Sequence, residues 1–353
     1  MGRRSLRDYT GRVIAPGTSQ VQSDESAKKS RCRLRVILYH HLADKPCHFV
    51  DQLGISTSPD TFSSHLKWLS KRYDFVDLDT VLNGNLPRRP LLITFDDGYR
   101  SVLDLAAPIL RDHSAPSVFF ISEKIIGGGD LPLDNLLCCL ANDVGLPKVE
   151  TALTGHPPVC ASLPELFERH ISGLSFAERM ALPERLAAEF NLDLRALRAQ
   201  SSLFLRGDEI RALAEARIEV GNHTRSHLHC RCLDDETSNA EIVEHRATLE
   251  RLAGRPVRSF SFPYGSSADA TAVVDRALRA SRHEAIFLVE ARLNPPGHAG
   301  PYWHRISMQN QPVSALRKRI EILPRLRAVR DRLQGARPMH ESRHTEAAGN
   351  GTR

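Results

Sequence analysis

The chain has 353 residues, 41% of them hydrophobic, and a formal net charge of +6 at pH 7. This length accommodates one large α/β domain or two ordinary domains, and no run of about 18 apolar residues predicts a membrane-spanning helix. The charge does not indicate a nucleic-acid partner. Residues 1–35 hold nine Lys or Arg against three acidic residues, so the rest of the chain is neutral on balance.

The two ends of the chain are predicted to lie outside the folded domain. Residues 1–30 are polar and basic and are expected to form a disordered arm, while residues 326–353 are expected to hold a helix end and a second disordered tail. We predict no secretory signal, because residues 1–20 lack an apolar segment before a small-residue cleavage site. Seven cysteines without disulfide-framework spacing also favour a reducing, cytoplasmic location.

Strand and helix patterns alternate from residue 34 to residue 121. Four short apolar runs predict strands, at 34–38, 75–78, 91–95 and 117–121. A helix is predicted over Pro59–Arg72, with Ser58 as its N-cap, and apolar residues at helical spacing predict another near 102–110. This alternation is typical of a parallel sheet with helices on its outside.

Residues 127–205 interrupt the alternation and are predicted to form a helical insertion. Four stretches have helical patterns, at 133–140, 163–172, 176–190 and 192–200. Because the insertion follows a strand end, we expect it to form a lid or a wall of a cleft, with a packing appendage as the alternative. Beyond it strands are predicted at 218–220, 257–262 and 285–289, so residues 31–325 are interpreted as one barrel domain.

Polar side chains follow at least four of the predicted strands. In chain order they are His40 and His41, Asp96 and Asp97, His223 and His227, and Pro263 and Tyr264. The carboxyl ends of the strands in a parallel barrel share one face, where the loops build the site. We therefore expect these residues to meet.

Asp96 and Asp97 follow an apolar run directly and precede Gly98. Successive strand residues point to opposite faces, so both carboxylates reach one site only if the chain turns, which Gly98 permits. One carboxylate could then bind a metal while the other accepts a proton from a metal-bound water. The alternative is a strand end whose acidic groups cap the next helix.

His223 and His227 are four residues apart, so on one helical turn both imidazoles would face the same side and could bind one cation. Together with Asp97 they form a possible three-ligand site that suits zinc, and also cobalt, nickel or iron. The alternative is an incidental pair on a helix. Cys230 and Cys232 follow closely but lack the paired spacing of a cysteine-rich zinc site.

These motifs together resemble a known family. Thr94–Tyr99 and His223–His227 are similar to the first two signature motifs of the polysaccharide deacetylase (NodB-homology) family of carbohydrate esterases, and Pro263–Gly265 is similar to the third. The resemblance covers residues 34–307 in order and spacing. It implies an α/β fold, an irregular (β/α) barrel, and a metal-dependent hydrolase that removes N-acetyl or similar acyl groups from a carbohydrate during polysaccharide or glycan biosynthesis.

The resemblance also implies roles for individual residues. Asp96 would be the catalytic base, and a divalent metal would be held by Asp97, His223 and His227. Pro263 and Tyr264 would lie at the substrate, with the backbone N–H of Tyr264 at the oxyanion.

The sequence departs from the family pattern in two places. Ser261 stands where many members have an arginine in the third motif, and Arg258 is the nearest arginine. This departure leaves the orientation of Asp96 open. The late Leu-x-His motif, whose histidine is the general acid in the family, is also absent in clean form. We predict that His304 is the general acid here, with His298 as an alternative. Equally, His304 could be an ordinary loop histidine without a catalytic role.

Two other functions fit the same residues. A deformylase or cyclic amidase on the same scaffold would be distinguished by the small acid that it releases. A carbohydrate-binding protein without catalysis would need no complete metal triad, which disfavours it. Polymers, oligosaccharides, lipid-linked sugars and nucleotide sugars all remain open as substrates.

Overall fold

The computed structural model describes residues 32–126, 129, 131–298 and 300–333. The predicted arm at 1–30 and residues 334–353 of the predicted C-terminal tail lie outside the described residues. The strands are β1 (Arg35–Tyr39), β2 (His41–Leu42), β3 (Ser56–Thr57), β4 (Asp74–Phe75), β5 (Pro90–Phe95), β6 (Ser117–Ile121), β7 (Ile218–Asn222), β8 (Ser259–Ser261), β9 (Ala285–Leu288), β10 (Tyr302–His304) and β11 (Ile306–Ser307).

A parallel sheet forms the centre of the fold. Its strands lie in the order β10-β9-β8-β7-β6-β5-β1-β11, with β4 beside the start of β5, while β2 and β3 form a separate pair. The last two strands are separated by Arg305 alone. Because β10 pairs with β9 and β11 pairs with β1, one short segment bonds to both edges of the sheet. The sheet is therefore nearly closed, which confirms the predicted (β/α) barrel.

Side chains alternate between two buried layers along the strands. In β5, Leu91 and Ile93 belong to the cluster that packs against the outer helices, while Leu92 belongs to the cluster that fills the barrel with Phe120 and Trp303. All six residues of β5 are buried, as expected for a parallel strand covered on both faces. This alternation continues past the strand ends and determines which side chains reach the mouth of the barrel, the opening at the carboxyl ends of its strands.

Helices surround the barrel. The α-helices outside the insertion are Pro59–Ser70, Leu78–Leu82, Ala107–Asp112, Ala212–Glu215, Asp235–Ser238, His245–Ala253, Ala272–Ala280, Val313–Arg317 and Leu323–Leu333. Wider π-helical turns at Val102–Ala106, Asn239–Glu244 and Lys318–Ile322 extend three of them. Ser58 is the N-cap of the first helix, as predicted, and accepts a hydrogen bond from the Thr61 N–H.

Only Phe75 of the predicted strand at 75–78 lies in a strand, so the prediction is wrong for residues 76–78. The strand ends at Phe75, because the Asp77 side chain accepts the backbone N–H of Thr80 and starts the helix Leu78–Leu82. A short polar N-cap thus outweighs the apolar run.

The insertion packs around an apolar cluster that also includes Phe49, Val50 and Tyr99 from outside it. Its helices are Leu133–Val144, Leu146–Thr154, Leu163–Leu166, Phe176–Phe190 and Leu194–Ser201, and a π-helical turn at Phe167–Ile171 follows the third of them. The second helix was not predicted. The chain leaves the insertion beside the Asp-Asp motif, where the Leu205 N–H donates to the Gly98 carbonyl at 3.0 Å and Phe204 stacks on Tyr99.

Candidate functional site

Asp96 lies at the mouth of the barrel and is held by an arginine. Asp96 follows Leu92 and Thr94 at intervals of two residues, so its side chain points inward as theirs do, and it is 2% exposed. Each of its carboxylate oxygens accepts a hydrogen bond of 2.7 Å from one guanidinium nitrogen of the fully buried Arg305. Burial would raise the pKa of Asp96, but the charge and hydrogen bonds of Arg305 outweigh it, so the pKa is lowered. Asp96 is therefore an oriented, ionised carboxylate.

Asp97 points to the same mouth because the chain turns at once. Asp97 has φ 76° and Gly98 has φ 80°, two consecutive residues in the left-handed region. A non-glycine residue in this region costs about 1–3 kcal/mol, and such strain concentrates at functional sites. The predicted turn is present, but it begins at Asp97 itself.

His223 and His227 both approach Asp97. The Nε2 atom of His223 lies 3.3 Å from Oδ1 of Asp97, and the Nε2 atom of His227 lies 3.1 Å from the same oxygen. The two histidines are not on a helical turn, contrary to the expectation. They lie in a loop after β7, in which Thr224 and His227 have positive φ. The Asn222 side chain accepts the Thr224 N–H and stabilises this loop.

The three donor atoms fit a single cation. Ligands at about 2.0–2.2 Å in a tetrahedral arrangement lie roughly 3.3–3.6 Å apart, close to the separations found here. The ring of His223 is also oriented for this role, since its Nδ1–H donates to the Ser261 carbonyl at 2.9 Å and leaves Nε2 facing Asp97. Two imidazoles and one carboxylate are a donor set that zinc accepts.

Tyr264 links the barrel to the insertion. It follows β8 with φ 61°, and its hydroxyl donates to Oδ1 of Asp134 at 2.8 Å. Gly265 also has positive φ, and a Cβ atom there would lie 2.3 Å from the side chain of Val289. The third motif is thus a left-handed turn that needs glycine at this position.

A cleft of about 310 Å³ opens above these residues. Its barrel side includes the Asp-Asp motif, His223, His227 and Tyr264. The insertion contributes Asp134, Pro164, Phe167, Glu168 and Ser172. The insertion therefore forms one wall of the cleft.

His304 does not line the cleft, which corrects its proposed place at the reaction centre. Trp303 packs in the barrel interior and Arg305 reaches Asp96, so the residue between them points outward. Its Nδ1 atom lies 3.5 Å from a carboxylate oxygen of Glu290. The alternative, His298, is also outside the cleft lining, and its Nε2–H donates a hydrogen bond to the carbonyl of Tyr302 at 2.7 Å.

Arg305 is a functional residue that sequence reasoning missed. Its guanidinium also donates to the hydroxyl of Ser261, the position at which the family often has an arginine. The small serine leaves space for the guanidinium of Arg305, which reaches it from the segment between β10 and β11. The available signal was strand alternation, because Arg305 is two residues after the inward-facing Trp303.

Two further histidines, His40 and His229, line the cleft but do not belong to the three-donor group. His40 continues the inward parity of β1, and its Nδ1 atom has no hydrogen-bond partner in the described part of the chain. Burial lowers its pKa, against the opposing charges of Asp96 and Asp97. His229 stacks on the Tyr264 ring with centroids 4.1 Å apart. The sequence marked His40 as a strand-end residue without giving it a role.

The fold and the donor groups define a class: a nearly closed parallel barrel with a carboxylate–imidazole metal-type centre beside a second, arginine-held carboxylate. The family model for polysaccharide deacetylases matches residues 173–281, a segment that includes both histidines of the centre and the third motif. The match confirms, over these residues, the resemblance found in the motifs, which is to a family of amide-hydrolysing carbohydrate esterases. No curated protein matches the sequence significantly.

Solved structures share the fold at low sequence identity. The deacetylase PplD from Streptococcus pyogenes, solved with acetate, aligns with a TM-score of 0.54 at 12% identity, over 82% of this chain and 99% of that one. IcaB from Ammonifex degensii aligns with a TM-score of 0.52 at 17% identity, over 83% of this chain and 97% of that one. A de-N-acetylase from Aggregatibacter actinomycetemcomitans aligns with a TM-score of 0.52 at 17% identity, over 81% of this chain and 99% of that one. At such identities these likenesses show the barrel fold.

Proposed function

We propose that this protein is a metal-dependent hydrolase that removes N-acetyl groups from a carbohydrate during polysaccharide or glycan biosynthesis in the cytoplasm. One observation carries the proposal. Three donor atoms of Asp97, His223 and His227 converge at 3.1 and 3.3 Å beside a separate ionised carboxylate, Asp96, which is held by Arg305. The names of the similar structures, a deacetylase and a de-N-acetylase among them, support the same reaction.

Asp97, His223 and His227 would hold a divalent cation. Zinc suits this donor set, and cobalt, nickel or iron are alternatives. A bound cation polarises an amide carbonyl and lowers the pKa of a water in the site. The buried Asp97 carboxylate stays ionised for this role, because the attraction of His227 and the hydrogen bonds of both histidines outweigh its burial and lower its pKa.

Asp96 is the proposed base. Its Oδ2 atom lies 3.8 Å from Nε2 of His223, so it is adjacent to the metal group and yet committed to Arg305. Each carboxylate oxygen keeps a lone pair beyond the one that the guanidinium uses, and it can accept a proton from water there. The fixed salt bridge holds the acceptor in one orientation.

The remaining tasks are to stabilise the oxyanion and to protonate the leaving amine. The backbone N–H of Tyr264 is the proposed oxyanion donor, on a turn that Gly265 fixes. We assign the proton donor to His40 in place of His304, because His40 lines the cleft on the same inward parity as Asp96. Burial lowers the pKa of His40, against the opposing charges of Asp97 and Asp96, so His40 rests neutral. The proton that it passes to the amine would therefore be supplied by the one that Asp96 takes from water, which balances the step.

The substrate is proposed to be an N-acetylated sugar held between the barrel mouth and the insertion. Phe167 offers an apolar ring, and Glu168 and Asp134 offer polar groups on the insertion side. This mixture suits a sugar, which has both apolar faces and hydroxyl edges.

A screen for the released acid tests the proposal and its alternatives. The purified protein is incubated with Zn²⁺ or Co²⁺ and with N-acetylated oligosaccharides, formamides and cyclic amides. We expect acetate from the acetylated sugars. Formate, or ring opening without acetate, would favour the deformylase or cyclic amidase, and saccharide binding without turnover would favour a binding protein.

A further inference from the structure

The last described helical segment, residues 313–333, has an inner and an outer apolar face. It joins Val313–Arg317, the π-helical turn Lys318–Ile322 and Leu323–Leu333 without a break. Leu316 and Ile320 are fully buried in the layer between the sheet and the outer helices, and Pro324 continues the same inner face. This face packs the helix on the domain.

The outer face is also apolar. Ile322 is 43% exposed, Leu326 60%, Val329 54% and Leu333 83%. Their spacing of four, three and four residues places them on one stripe, opposite the inner face. In the described ranges, the large hydrophobic side chains that are exposed lie on this segment, apart from Val159. A surface helix normally presents a polar outer face, so the stripe marks an interaction surface.

Basic residues flank the stripe. Residues 317–333 contain seven Lys or Arg against two acidic residues. Arg325, Arg327 and Arg330 are exposed. Paired with a second copy along the stripe, Arg325 and Arg330 would occupy the flanking positions that face the partner helix, where like charges repel. The charge therefore disfavours self-association and favours an anionic partner.

An anionic lipid surface satisfies both properties of this helix. Residues 1–31, which could otherwise fold over the stripe, carry seven Lys or Arg against three acidic residues, so the same repulsion applies to them. A helix with an apolar stripe between basic residues lies in the plane of a bilayer, and its affinity grows with the buried apolar area and with anionic lipid content. No described helix is long and apolar enough to cross a membrane.

We propose that residues 322–333 dock this protein onto an anionic membrane surface. The docked stripe begins beside Glu321, which accepts hydrogen bonds from Tyr73 and Arg89 next to the first residues of β4 and β5. The catalytic cleft lies at the opposite, carboxyl ends of the strands. Docking there leaves the cleft open to the aqueous phase, where it meets glycan chains rather than lipid headgroups.

Vesicle co-sedimentation of the full chain tests the proposal. The wild type is mixed with vesicles of phosphatidylglycerol and phosphatidylcholine, or of phosphatidylcholine alone. We expect binding to the anionic vesicles, and a loss of at least about tenfold with Leu326→Glu plus Val329→Glu, which places charge in the apolar stripe. Val159→Glu is the matched control, an exposed apolar residue elsewhere, and should bind like the wild type.

Several results would overturn the proposal. The proposal fails if the wild type does not bind anionic vesicles, or if it binds neutral vesicles equally well. It also fails if the double variant binds as well as the wild type, because the affinity would then come from the basic arm at residues 1–31. A wild-type dimer that the double variant dissolves, without vesicle binding, would identify a second copy as the partner. If the double variant does not fold by circular dichroism, the exposed pair Arg325→Gln plus Arg327→Gln decides, with a loss of about tenfold expected.

Discussion

The barrel mouth and the insertion contribute different things to the cleft. The mouth supplies charged groups whose directions follow from strand alternation, as with Asp96 and Arg305, and these groups are buried and bonded to one another. The insertion packs around a separate apolar cluster, shared with Phe49, Val50 and Tyr99, and contributes a wall through Phe167, Asp134 and their neighbours. Chemistry and selectivity are therefore physically separable in this cleft. Changes at the mouth should abolish the reaction, and changes in the insertion should alter which substrate is bound.

The largest effect is expected from a metal ligand at the mouth. Asp97→Ala or His223→Ala should remove the cation and reduce turnover on the order of a thousandfold or more, since polarisation by a metal contributes several kcal/mol and each 1.36 kcal/mol is a factor of ten. Metal content by mass spectrometry and acetate release are measured together. A variant that loses the metal and keeps its activity would remove the metal from the mechanism.

Asp96→Asn should leave the cation in place and remove the base. A general base contributes about 10²–10⁴-fold, so turnover should fall within that range while metal content stays at the wild-type level. Loss of both the metal and the activity would show instead that Asp96 belongs to the metal group.

Arg305→Met tests the support of the base. Leaving the buried Asp96 carboxylate unpaired should cost about 3–5 kcal/mol of folding stability, and activity should fall about 10- to 100-fold. Arg305 helps to lower the pKa of Asp96, so its stabilisation is present above the unfolded value of about 3.9 and is lost as the pH falls through the folded pKa. Urea unfolding at several pH values should therefore show the difference from wild type shrinking as the pH falls below the raised pKa of Asp96 in the variant.

The same variant should shift the acid limb of the pH–activity profile to higher pH, because the pKa of Asp96 rises. The double variant Arg305→Ser plus Ser261→Arg returns a guanidinium to the position usual in the family and should recover part of the activity. A merely structural role for Arg305 would leave the acid limb where it is.

The smallest effect is expected at the junction of the two regions. Tyr264→Phe keeps the backbone N–H but removes the hydrogen bond to Asp134. One such bond is worth about 1 kcal/mol, so KM should rise severalfold while kcat changes little. The double variant with Asp134→Asn should show a non-additive effect on KM. A large loss of kcat would mean that the hydroxyl takes part in the chemistry.

The sequence predicted the barrel mouth better than the insertion, for physical reasons. Buried parallel strands give long apolar runs, so β5 and the polar residues at its end could be identified from the pattern alone. The loop of His223 could not be identified in this way, since its positive-φ residues depend on a hydrogen bond that the Asn222 side chain accepts from the Thr224 N–H. Arg305 was missed because its partner, Asp96, is distant in sequence. The contacts of the insertion depend on packing between helices, which periodicity does not specify.

Titration of the metal-stripped protein with Zn²⁺ tests the central claim most directly. Acetate release from an N-acetylated oligosaccharide should rise in proportion to added metal and saturate at one equivalent per chain, and Asp97→Ala should show neither the bound equivalent nor the activity. Activity that is independent of added metal, or an Asp97→Ala variant that titrates like the wild type, would contradict a hydrolase built on Asp97, His223 and His227.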